Sequence, residues 1–160
     1  MLKIIKSFLF FLLFFSCSKN IESDTSTEIF NELGYILKNP KSSRGLVVLF
    51  PSFGNSILKS ENETKIDDKC FLEGYASLFI DYKYDFFLDK SNFIKINHLI
   101  NNVLDENNIY SENLFIGGFS VGGNVALSYC IWYNKLNKKI NKPLGIFVGD
   151  SPVDLYSLYN

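Results

Sequence analysis

Ser120 stands between Gly118 and Gly122, each two positions away, in the run Asn113-Leu-Phe-Ile-Gly-Gly-Phe-Ser-Val-Gly-Gly-Asn-Val-Ala-Leu127. The run opens apolar and β-prone over Leu114 to Ile116 and leaves in a helical pattern, so the serine falls at the apex of a strand–turn–helix. Side chains at 118 and 122 would collide with the adjoining backbone of so sharp a turn. Glycine at both positions lets the serine hydroxyl stand clear above the sheet edge. The N-terminus of the following helix favours negative charge developing beside it. That setting suits a nucleophile.

Other glycine-rich chemistries fail on the letters. A dinucleotide fingerprint needs G-x-G-x-x-G, but Phe119 stands two residues after Gly117. A phosphate-binding loop needs Lys-Ser/Thr after its last glycine, but Asn124-Val125 follows Gly123. The segment resembles the nucleophile elbow of the α/β-hydrolase fold. The resemblance covers residues 33 to about 155 and implies an α/β architecture with a mostly parallel sheet flanked by helices. It also implies acyl transfer through Ser120, which would attack a small ester-like carbonyl substrate without any cofactor or metal. One oxyanion donor would be the backbone N–H of Val121. In that family a second comes from a His-Gly turn after the third strand. Here Pro51-Ser-Phe-Gly-Asn-Ser56 occupies that place, Pro51 and Ser52 replace His-Gly, and the positional counterpart is the Phe53 N–H. An ordinary strand-ending turn is the competing reading.

The family's chain order runs serine, acid, histidine. Asp150, after the strand Pro143 to Val148, is either the acid or the cap of the turn Asp150-Ser-Pro. His98 is the only histidine, and it precedes Ser120. It sits off the apolar stripe of its helix and reads as solvated. Because no histidine follows Ser120, the chain is expected to be truncated before the last strands of the fold, and inactive or nearly so by itself. A non-catalytic surface lipoprotein that keeps the fold for binding, and an acyltransferase using the same serine, are the alternatives.

The positioning elements follow from periodicity. Gly34 to Leu37 and Leu46 to Phe50 read as strands joined by a turn cluster, which suggests an antiparallel pair at the entrance to the sheet. A short helix is expected over Glu61 to Leu72, then a strand over Ser77 to Ile80. The loop Asp81 to Leu88 offers Tyr82, Tyr84, Phe86 and Phe87 as pocket or packing aromatics. Phe93, Ile96, Ile100, Val103 and Leu104 mark one face of a helix that Ser91 would cap and Asn107-Asn108 would end. Val121, Val125, Tyr129, Trp132 and Leu136 mark the helix after the elbow. Alternation of strand and helix predicts parallel strands with functional residues at their C-terminal ends.

The first 16 residues read as a signal peptide. Lys3 and Lys6 precede the apolar run Phe8 to Phe15, which is shorter than the roughly 20 residues of a membrane-spanning helix. Cys17 resembles the lipidated first residue of a bacterial lipoprotein. An extracytoplasmic, membrane-anchored protein is expected, with a soluble secreted or periplasmic form as the alternative. Residues 17–30 read as a polar tether and residues 31–160 as the folded domain. Net charge is −1, and −3 without the leader lysines, which disfavours nucleic acid as a partner. Cys70 and Cys130 could pair in such a compartment, or remain buried free thiols. No Cys-x-x-Cys pair or histidine cluster points to a metal.

Overall fold

The computed structural model describes residues 23–30, 33–82, 88–136 and 141–152. Among them, six strands form one sheet. They are β1 (Ser23–Phe30), β2 (Leu33–Pro40), β3 (Leu46–Phe50), β4 (Ala76–Ile80), β5 (Leu114–Phe119) and β6 (Gly145–Gly149), in the spatial order β1-β2-β4-β3-β5-β6. β4, β3, β5 and β6 run parallel, and β1 and β2 are antiparallel. The helices are α1 (Ile57–Thr64), α2 (Ile66–Leu72), α3 (Lys90–Glu106) and α4 (Val121–Leu136).

β3 and β4 are apolar because helices cover both of their faces, whereas β5 and β6 pack on α4 with Phe115 and Phe147 half-buried and Ile146 exposed. Every residue of β3 and of β4 is buried. Side chains alternate across the sheet, so Leu46, Val48 and Phe50 face α3 and α4 in a large cluster with Phe93, Ile96, Val125 and Tyr129. Val47 and Leu49 face the other way, with Ile36 and Phe79, and meet Ile57 of α1 and Ile66 of α2. Each fully buried aliphatic side chain contributes about 1.5–3 kcal/mol.

Four sequence expectations change. The predicted tether through residue 30 is shortened, because Ser23–Phe30 is a strand paired along its length with β2. An edge strand needs no continuous apolar run. Its Glu28 carboxylate also accepts a hydrogen bond from the Tyr35 hydroxyl directly opposite, at 2.5 Å. β2 and β3 are not partners: β4 lies between them, antiparallel to β2 and parallel to β3. The short loop 41–45 carries the chain past one strand position, and the crossover through α1 and α2 then returns β4 to fill it, so closeness in sequence did not dictate pairing.

The helix expected over Glu61 to Leu72 is two helices, α1 starting earlier and α2 restarting at Ile66. Lys65, with φ 50°, breaks them. The cap of α3 is Asp89, whose carboxylate accepts from the Asn92 N–H at 2.6 Å, and not Ser91. The end of α3 is as expected. Asn108, with φ 52°, turns the chain, and the Ile109 N–H closes onto the Leu104 carbonyl at 2.9 Å.

Cys70 and Cys130 are free. They pack into the two clusters on opposite faces of the sheet, which settles their pairing. The signal segment, Cys17, and the aromatics Tyr84, Phe86 and Phe87 lie outside the described residues. No helix among the described residues is long and apolar enough to cross a membrane.

Candidate active site

Ser120 has φ 51°, a left-handed conformation that costs a non-glycine residue about 1–2 kcal/mol. The surroundings impose it. The Ser120 N–H donates to the Gly149 carbonyl at 2.9 Å, and its own carbonyl accepts from the Gly123 N–H at 3.0 Å. The Ser151 hydroxyl donates to the same carbonyl at 2.5 Å. Strain held in place by surrounding contacts is characteristic of functional turns.

The flanking glycines are required by contact. A Cβ on Gly118 would lie 2.5 Å from the Gly122 carbonyl carbon and 2.8 Å from the Phe50 oxygen. One on Gly122 would lie 2.2 Å from the Phe50 oxygen and 2.6 Å from that of Pro51. Each of these obstacles is backbone and cannot rotate away. Gly123 is confined by side chains instead, since its Cβ would meet the Ser151 Oγ at 1.8 Å and the Val148 Cγ1 at 2.8 Å. The first turn of α4 therefore lies directly on the end of β3 and the turn after β6.

Sheet register brings the remaining candidates to the same edge. Phe50 pairs with Gly118, and Phe119 pairs with Gly149. The strand ends of β3, β5 and β6 thus stand side by side and carry Phe53, Ser120 and Asp150 on adjacent loops. The Ser52 hydroxyl donates to the Phe119 carbonyl at 3.3 Å and ties the turn after β3 to the elbow. On the other side, the Tyr82 hydroxyl donates to the Pro51 carbonyl at 3.0 Å, and its ring meets Phe50 edge-on. Within the turn the Asn55 N–H donates to the Ser52 carbonyl, and Gly54 has φ 77°. That is the geometry of a type II turn. The Phe53 ring is exposed. The Val121 N–H is among the amides at the start of α4 that no helical carbonyl can reach.

Asp150 also has a positive φ, 48°, and is exposed. The hydroxyl that closes its turn onto the elbow belongs to Ser151. His98 is exposed near the middle of α3 and is not on any of these three loops. Burial pushes the Cys70 and Cys130 thiols up to about 11, so neither competes as a nucleophile at neutral pH. Among the described residues no group of three or more His, Cys, Asp or Glu side chains could hold a metal.

Sequence reasoning missed Ser52, Ser151 and Gly123. Only the doubled glycine, Gly122-Gly123, carried a signal. The serines act through partners distant in sequence, which no local pattern records.

The fold and the strained serine turn invite comparison with solved structures. The chain superimposes on a lipase/esterase from Lactobacillus plantarum with TM-score 0.59 at 13% identity, over 85% of this chain and 63% of that one. Carboxyl esterase 2 from the mycorrhizal fungus Tuber melanosporum gives 0.60 at 16%, over 82% and 46%. A fungal esterase from Rhizomucor miehei gives 0.55 at 15%, over 88% and 47%. The fold is that of the α/β-hydrolases. The chain spans less than two-thirds of the length of each of these esterases. No family model and no curated protein sequence matches it. The α/β-hydrolase expectation thus rests on architecture: a mostly parallel sheet, helices on both faces, and a strand–turn–helix at β5 and α4.

Proposed function

We propose that the chain carries the nucleophile and oxyanion side of a serine hydrolase acting on small carboxylic esters. One observation carries the reading: Ser120 is held at φ 51° between glycines whose Cβ positions are filled by backbone of α4, of β3 and of the turn after β3. A serine that only started a helix would need neither the strain nor the contact. In this reading the Ser120 hydroxyl attacks the ester carbonyl, the ester C–O bond breaks, the alcohol leaves with the serine's proton, and an acyl-serine remains. The Val121 and Phe53 N–H groups receive the oxyanion, and the N-terminus of α4 favours its charge. Water then releases the acid. Asp150, on the neighbouring loop, is the candidate acid, and Cys17 is the candidate lipid anchor of an extracytoplasmic protein.

Attack by a serine needs a base, and no histidine follows Ser120 in these 160 residues. Labelling of this chain by a fluorophosphonate is therefore expected to be slow and to accelerate on addition of imidazole. The deciding comparison is Ser120→Ala. Label found on Ser120 in the parent and absent from the variant supports the reading. Equal labelling of both proteins overturns it.

A further inference from the structure

Tyr82 stands just past the end of β4 and is only 4% exposed, with its ring edge-on to Phe50. A buried phenol needs a partner for its hydroxyl. Here the hydroxyl donates to the Pro51 carbonyl at 3.0 Å, across 31 residues of sequence. The same carbonyl oxygen lies 2.6 Å from where a Cβ on Gly122 would stand. It is therefore confined between the Tyr82 hydroxyl and the first turn of α4.

Two residues further on is Phe53, whose N–H is the proposed second oxyanion donor. Because peptide units are planar, only φ and ψ of Ser52 separate the Pro51 carbonyl from that N–H. The Ser52 carbonyl accepts from the Asn55 N–H at 3.1 Å. In a trans peptide the C=O and N–H point in opposite directions, so the Phe53 N–H is aimed outward from the turn. The carbonyls on either side of Ser52 are thus both held, one by the turn itself and one by Tyr82. The Ser52 hydroxyl adds a tie to Phe119, but that bond is 3.3 Å long and exposed. The Tyr82 bond is shorter and buried, where a hydrogen bond is electrostatically stronger.

We propose that Tyr82 is a positioning residue for ester cleavage: through the Pro51 carbonyl, its hydroxyl aims the Phe53 N–H at the oxyanion. The proposal rests on the serine-hydrolase reading of Ser120. Tyr82 acts on the reacting atoms only through Pro51 and Ser52. Tyr82→Phe keeps the ring against Phe50 and removes the hydroxyl alone.

The test compares Tyr82→Phe with Tyr129→Phe in the full chain. Tyr129 is also buried, and its hydroxyl donates to Asn97 at 2.9 Å, between α3 and α4. Each variant therefore loses one tyrosine hydrogen bond from the core. Both are treated with a fluorophosphonate in imidazole buffer: imidazole takes the Ser120 proton, the Oγ–P bond forms and fluoride leaves. Tyr82→Phe is expected to label about tenfold more slowly than the parent, because a misaimed donor forfeits part of what a deleted one does. Tyr129→Phe should label at the parent's rate. In the labelled parent, a phosphonyl oxygen occupies the oxyanion position, and the amide protons of Phe53 and Val121 should both move downfield. In labelled Tyr82→Phe the Phe53 movement should shrink while that of Val121 persists. General loosening of the fold would not produce that split.

A parental labelling rate in Tyr82→Phe, equal slowing in the two variants, or an undiminished Phe53 movement would each overturn the proposal. The two readings fail separately. Label on Ser120 of the parent with no effect of Tyr82→Phe removes the role of Tyr82 and leaves the hydrolase. Absence of label on Ser120 of the parent removes the hydrolase, and the oxyanion role with it.

Discussion

The two turns that meet at the sheet edge are held by different means. The elbow at Ser120 is crowded: Gly118, Gly122 and Gly123 each have a neighbour within 3 Å of where a Cβ would stand, backbone for the first two and the Ser151 and Val148 side chains for the third. The turn after β3 is open. Around Gly54 nothing lies within 4 Å, and only its φ of 77° asks for glycine. One turn is fixed by contact and the other by local conformation. The proposed nucleophile would gain precise placement from the first arrangement. The proposed oxyanion loop would gain room for a substrate from the second.

The largest expected effect tests the crowded side. Gly122→Ala drives a methyl into the Phe50 and Pro51 carbonyls, and urea denaturation should show a loss of about 3 kcal/mol or more, or no folded protein. Gly54→Ala meets no atom, and its cost should be the left-handed backbone alone, about 1 kcal/mol. Equal losses at the two sites would break the comparison.

A third substitution reads the strain at the apex. Ser120→Gly should be about 1 kcal/mol more stable than Ser120→Ala, because glycine occupies φ 51° freely, while both lose fluorophosphonate labelling. If the two melt together, the surroundings do not impose the strain. The smallest effect is at the junction. Ser52→Ala removes a long, exposed hydrogen bond to Phe119 and should cost at most about 0.5 kcal/mol. Its use is in kinetics: a slower labelling rate at nearly unchanged stability would show that the junction positions the proposed oxyanion donor.

The readable parts of the fold were those written in short-range pattern. Leu46 to Phe50 and Leu114 to Ile116 announced buried strands, and the stripes of α3 and α4 announced their buried faces. Ser23–Phe30 was missed because a polar edge strand draws its order from β2. Asp89 was passed over for Ser91 because cap residues of similar propensity stood two positions apart, and only the backbone geometry chose between them. The break at Lys65 has no glycine or proline to mark it.

By itself, the sequence determined the strand–turn–helix around Ser120, the need for glycine on either side, and the alternation that makes the sheet mostly parallel. Those follow from local sterics and hydrophobic period, which act over a few residues. Tertiary structure decided that β4 separates β2 from β3, that Cys70 and Cys130 lie on opposite faces, and that Ser52 and Ser151 clasp the elbow from two other loops. These depend on which distant segments pack together, since burial and hydrogen bonding are settled by neighbours in space.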